Sequence, residues 1–249
     1  IFDNIWIQPA AGDAGGSLGA ALAFWHIEQG NKRSVNSKDD MKGSYLGTEF
    51  TQEEIEKELK SIGANFETLN YEDLINKTAE LLSNEKAIGW FQDRMEFGPR
   101  ALGNRSIISS PIGPNIKNLI NSKIKIRENF RPFAPSILEE KVSEWFDEKI
   151  GSDYMSFVAK IKKEKRSIIP AVTHVDGTGR LQTVNINQNK KFYNLIKSFY
   201  NISKIPILLN TSFNENEPIV MSPQQALDCF LRTEMDYLVI NNIFIYKKN

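Results

Sequence analysis

The stretch IPILLNTSFNENEPIVMSPQQALDCFL, residues 205–231, passes from an apolar run into amide, hydroxyl and acidic side chains, and then into a second apolar pattern. Residues 205–209 read as a strand. Ser222 supplies an N-cap and Pro223 takes the first helical position, so a helix is predicted over 223–231. In open α/β sheets, polar groups at a strand end of this kind face a ligand crevice. A polar turn that closes the strand is the plainer account of the same residues.

Working outward, residues 237–240 and 243–246 are two apolar runs joined at Asn241-Asn242, a hairpin signal. Residues 87–91, 133–138, 155–161 and 181–185 are further strand candidates. Thr51 and Glu54 form a capping box for a helix through Ile55, Leu59 and Ile62, and other helices are predicted over 71–83, 114–123 and 190–200. At the start of the chain, a short strand over 4–8 precedes a small-residue turn and a helix over 17–29, closed by Gly30. The polar stretch 31–48 reads as a linker. The expected class is α/β in the mixed α+β sense, with no internal repeat.

The chain has 249 residues, 31 Lys+Arg against 31 Asp+Glu, and 41% hydrophobic residues. Its mean hydropathy of -0.38 is that of a soluble globular protein of one or two domains. A single cysteine, Cys229, excludes a disulfide framework within the chain, and two distant histidines, His26 and His174, exclude an HExxH site. No apolar run reaches the length of a membrane span. The expected location is cytoplasmic. The chain opens at Ile1 without a methionine, the pattern of a piece of a longer polypeptide.

Charge is unevenly spread. Residues 39–60 hold seven acids against three lysines, whereas residues 92–131 hold eight bases against three acids. The basic stretch contains two clusters, FGPRALGNRS (residues 97–106) and KIRENFRPFAPS (residues 125–136). Arginine forks match phosphate oxygens, and bases interleaved with Phe97, Leu102, Phe130 and Phe133 are harder to explain as a plain solvated surface. HVDGTGRLQT (residues 174–183) is a tight turn flanked by His174 and Arg180, a functional loop or a bland one. Asp13, in a glycine-rich turn, can ligate a metal, bond a nucleotide or cap the following helix. There is no Walker motif and no GxGxxG, so side-chain bases would have to hold any nucleotide.

Taken together, PAAGDAGGSLGAAL, the two basic clusters, THVDGTGRLQTV and LLNTSFNENEPIV followed by SPQQALDCF resemble the ATP-dependent O-carbamoyltransferases, the family of NodU and the tobramycin and cephamycin carbamoyltransferases. The match runs from Pro9 to Tyr246. It implies the tail of an actin-like (ASKHA) domain over 1–30, a linker over 31–48, and over 49–249 a YrdC-like domain with a twisted open sheet and flanking helices. The rest of the actin-like domain is then an expected partner from the same polypeptide, and a homodimer is compatible with the sequence.

The resemblance implies that ATP, with Mg2+, and carbamoyl phosphate give a carbamoyl adenylate, for transfer to a hydroxyl of a small metabolite or sugar. Lys125, Arg127 and Arg131 match the YrdC-type lysine–arginine motif and are assigned to the phosphate and carbamoyl anions, with Arg100 and Arg105 on the other wall. Ser212 and Asn214 match the Thr-Ser-x-Asn segment and are expected to bind ATP, with Asn210 nearby. His174 and Arg180 are further phosphate or carbamate contacts. Asp13 matches an aspartate that completes an iron site with histidines upstream of this sequence, so iron is expected only in the longer protein. Two other readings stand beside this one: an RNA-binding module, which the neutral overall charge disfavours, and threonylcarbamoyl-adenylate synthesis for tRNA modification.

Overall fold

The structure is a computed structural model that describes residues 6–35, 39–147 and 151–247. Capping chemistry sets the longer helices. In α2 (Gln52–Ser61), Thr51 Oγ1 accepts from the Glu54 amide at 3.2 Å and the Glu54 carboxylate accepts from the Thr51 amide at 2.8 Å. The box fixes the start, and Ile55 and Leu59 bury one face. Asn70 caps α3 (Tyr71–Ser83), Asn189 caps α6 (Lys190–Ser203), and Ser222 with Pro223 opens α7 (Pro223–Arg232), as the sequence predicts.

Eight strands form one mixed sheet. They are β1 (Glu67–Thr68), β2 (Ile88–Phe91), β3 (Arg105–Ser109), β4 (Ala134–Leu138), β7 (Gln182–Val184), β8 (Ile207–Ser212), β9 (Tyr237–Ile240) and β10 (Ile243–Tyr246). Their order is β1-β10-β9-β2-β3-β8-β4-β7, with β2/β9 and β4/β7 parallel and the other pairs antiparallel. The β9–β10 hairpin turns at Asn241-Asn242 with Ile243 opposite Ile240. Two further strands, β5 (Val158–Lys160) and β6 (Thr178–Arg180), make a small antiparallel sheet.

Helices α3 and α6 pack on each other, with α6 against β4 and β8; α7 packs on β2, β9 and α2. The core runs between these layers and includes Trp90, Phe91, Phe199, Phe213 and Phe230. Two short helices complete it: α4 (Ile116–Leu119) before the lysine-containing loop, and α5 (Val142–Trp145), which buries Trp145. The mixed α/β class with flanking helices is therefore the observed one.

Four departures from the sequence reading matter. Strand β3 was not expected, because its residues lie at the end of a motif read as a charged loop. Residues 6–8 form no strand, and Asn4 and Ile5 lie outside the described residues. The helix expected from residue 17 is already formed at α1 (Asp13–Ala23) and passes into a wider π turn over Phe24–Glu28; α1 buries no residue. The second half of the expected linker is built into the sheet domain: Gly47 N bonds Met95 O, Met95 N bonds Thr48 O, and Phe97 N bonds Ser44 O.

Candidate active site

The sheet brings the four sequence motifs to one end. Since β8 is antiparallel to both β3 and β4, and β7 is parallel to β4, the end of β8 meets the starts of β3, β4 and β7. The loops arriving there are the two basic clusters and the His174 turn, and the segment leaving is the polar end of β8.

Helix α4 widens into a π turn over Ile120–Ile124, a distortion often found beside functional sites. This turn delivers Lys125, which is only 2% exposed. Its Nζ donates to Ser212 O (2.7 Å), Ser212 Oγ (3.1 Å), Asn214 O (2.8 Å) and Asn214 Oδ1 (2.5 Å). Burial, reinforced by the charge of Arg127, pushes the Lys125 ammonium down to about 7; Cys229 and Glu217 oppose the shift. The geometry thus joins Lys125 to Ser212 and Asn214, residues that the resemblance assigns separately to phosphate and to ATP.

An open cleft of about 680 Å³ lies over these groups, lined by Lys125, Ile126, Arg127, Glu128, Arg131, Ser212 and Asn214 among others. Arg127 is aimed by Asn121, whose Oδ1 accepts from Nε at 2.6 Å, and its guanidinium lies 5.0 Å from the Phe133 ring centre. Burial and the neighbouring Arg131 charge lower its affinity for its proton. Arg131 pairs with Glu128 at 2.8 Å, half in solvent. Two arginines beside a buried lysine form a local excess of positive charge, which a polyanion relieves.

A second basic group stands at the end of β6, in the turn before it and in the loop before β3. Arg100 is exposed, and among the described residues neither its side chain nor that of Arg180, which pairs through its backbone in β6, has a hydrogen bond or ion pair. Burial and the charge of Arg180 both lower the Arg100 pKa. His174 bonds Thr178 Oγ1 at 3.1 Å and is held below the ordinary imidazole range by burial, with Arg180 and Lys117 adding to the effect against Asp176. Arg100, Arg180 and His174 are thus electrostatic neighbours. They do not line the cleft around Lys125.

Three readings are corrected. Arg105 begins β3 and is fully buried: its guanidinium donates to the carbonyls of Gln92, Asn104, Thr48 and Asp93 and stacks 3.5 Å from the Phe91 ring centre. With both terminal nitrogens directed at backbone and Nε buried without a partner, it does not line the cleft; burial lowers its pKa to about 10. Asn210 is also buried, and donates to Ala101 O, Ser136 Oγ and Gln182 Oε1 beneath the site. It supports the loop holding Arg100 and does not line the cleft. Asp13 is exposed in the first turn of α1, and the N-cap position belongs to Gly12, so it does not cap the helix. Among the described residues no group of three His, Cys, Asp or Glu could hold a metal, so these residues alone do not fit an iron site.

The carbamoyltransferase C-terminus family model matches residues 79–247, which contain both basic groups and the whole of the cleft. The chain belongs to that family. Relatives include an uncharacterized protein of Synechocystis, 48% identical over 99% of this chain and 44% of its own length. Nodulation protein NolNO of Sinorhizobium fredii is 43% identical over 100% of this chain and 37% of its own. The chain thus spans less than half the length of these relatives. A solved structure, full-length HypF in the phosphate- and nucleotide-bound form, overlays 69% of this chain and 25% of that one with a TM-score of 0.49 at 18% identity.

Within this carbamoyltransferase C-terminal domain, sequence reading missed two groups that shape the site. Asn121 is fully buried, aims Arg127 and donates to Arg131 O at 3.0 Å. Its signal was an amide among the apolar positions of helix 114–123. Glu96 is buried under the first basic cluster and accepts from the amides of Leu102, Asn104 and Arg105. Gly103 bends there at φ +106, where a Cβ would sit 2.3 Å from the Phe192 ring.

Proposed function

We propose that this chain forms a carbamoyl adenylate from ATP and carbamoyl phosphate, as the nucleotide-using part of an O-carbamoyltransferase. The observation that carries the reading is the buried Lys125 ammonium, oriented by Ser212 and Asn214 at the floor of a cleft whose open side carries Arg127 and Arg131. Family membership supports it.

In this reading, carbamoyl phosphate loses phosphate to one water and yields carbamate. A carbamate oxygen then attacks the α-phosphorus of ATP, the bond from that phosphorus to the bridging oxygen breaks, and pyrophosphate leaves with its electrons. Lys125, Arg127 and Arg131 neutralise charge on the phosphate chain as it departs, so positioning and electrostatics do most of the work. Arg100 and Arg180, with His174, receive the phosphate end of carbamoyl phosphate. Mg2+ accompanies ATP. The carbamoyl group then passes to an acceptor hydroxyl, bound outside this chain.

The test is pyrophosphate release with ATP and Mg2+, with and without carbamoyl phosphate. Release that depends on carbamoyl phosphate and disappears in Lys125→Met supports the reading. Release that ignores carbamoyl phosphate, or that survives Lys125→Met, overturns it. Tight RNA binding that falls steeply with salt, without ATP-dependent turnover, would favour a nucleic-acid role instead.

A further inference from the structure

Nine non-glycine residues have positive φ among the described residues, and Ile126, at φ +45, is the only β-branched one. Branching at Cβ makes the left-handed region especially unfavourable, so such an outlier calls for an explanation. The local geometry is that of a helix end. Lys125 N bonds Ile120 O at 2.8 Å, Arg127 N bonds Asn121 O at 2.9 Å, and Ile126 takes the left-handed position between them. Glycine is the usual occupant of that position, because it ends a helix without steric cost. The fold alone would be better served by glycine here.

Core packing does not explain the isoleucine either, since its side chain is 55% exposed. It lines the cleft, and its companions there are polar or charged: Ser122, Lys125, Arg127, Glu128, Arg131 and the segment Ser212–Asn216 without Phe213. An exposed apolar surface in a polar cleft, held in place by a strained backbone, fits a ligand with both an apolar face and a polyanionic tail. A nucleoside triphosphate is such a ligand. Its base is tethered to its phosphates through one ribose, within reach of a wall one residue from the phosphate-binding lysine.

We infer that Ile126 is the wall against which the nucleobase packs, a positioning residue that separates nucleotide from plain polyphosphate. The inference rests on the proposed use of ATP. It predicts a combination that a purely structural role would not give: Ile126→Gly keeps or raises thermal stability, because the backbone strain is relieved, while binding of the nucleotide weakens.

Isothermal titration of the 249-residue chain with Mg-ATP and, separately, Mg-tripolyphosphate tests this. Ile126→Gly and Ile126→Asn, both tolerant of positive φ, are expected to lose about tenfold in affinity for ATP and nothing for tripolyphosphate. Equal affinity of wild type and both variants for ATP overturns the inference, as does a parallel loss for both ligands, which would mean that residue 126 only shapes the loop. Absence of ATP binding by the wild type overturns the proposed function itself, a result distinct from either of these.

Discussion

The two basic clusters look alike in sequence, yet Arg105 of the first and Arg127 and Arg131 of the second meet opposite surroundings in the fold. In the first, Arg105 is buried and its guanidinium is shared among four backbone carbonyls and the face of Phe91. In the second, Arg127 and Arg131 are held by side chains that leave part of each guanidinium facing the open cleft. The difference teaches that arginine density marks a place where charge must be compensated, and that only the partners decide whether backbone or ligand does so. Arg105 has its compensation built in. Arg127, held by a neutral amide beside a buried lysine, does not, and Arg131 has only its half-solvated pair with Glu128.

The largest expected effect lies on the buried side of this contrast. Arg105→Met should cost about 3–5 kcal/mol in chemical denaturation, because four carbonyls lose a charged donor together. A loss under 1 kcal/mol would show that the carbonyls find other partners. Lys125→Met should reduce affinity for Mg-ATP about a hundredfold by titration calorimetry while the domain remains folded. Arg127→Gln is expected to lose about tenfold in the same measurement, with an unfolding midpoint near that of wild type. Arg94→Ala removes an exposed pair with Glu49 at 3.1 Å and should change stability by less than about 0.5 kcal/mol.

The pH dependence sharpens the same comparison. Lys125 holds its proton to about 7 in the fold, against 10.5 as the ordinary value, so above pH 7 the unfolded chain binds more protons at this site. Its contribution therefore makes stability rise from about pH 7 to 10.5, while polyanion affinity falls as the ammonium is lost. Lys125→Met should flatten both slopes in denaturation and titration series. Parallel slopes in the variant and the wild type would assign the titration to another group.

Much of the fold was legible because its signals are local. The Thr51 and Ser222 boxes, the boundaries of α3 and the hairpin at Asn241-Asn242 need only neighbouring residues to be read. β3 was not legible: its residues RSIIS begin inside a charged motif, and they become a strand by pairing with β2 on one side and with β8, far away in sequence, on the other. Missing that strand is why Arg105 was placed in the cleft. The assignment of Lys125, Ser212 and Asn214 to the site followed from the resemblance, whereas the aiming of Arg127 by Asn121 depends on a π turn that no periodicity announces. Asn210 looked like a binding residue because it precedes the polar strand end; alternation along β8 and the presence of Ser136 and Gln182 turn it into a buried support.

The sheet order has a consequence for synthesis. β2 takes its parallel partner from the last segment of the chain, and the Ala87 amide that introduces it bonds the carboxylate of Asp236, 149 residues later. Until β9 and β10 emerge, β2 has an open edge, and β1 has no neighbour at all. Long-range pairing of this kind is slow and leaves strand edges free to meet other chains, so the nascent polypeptide is vulnerable until β9 and β10 have been made. A stop codon before β9 would therefore open the sheet between β1 and β2 instead of trimming its margin.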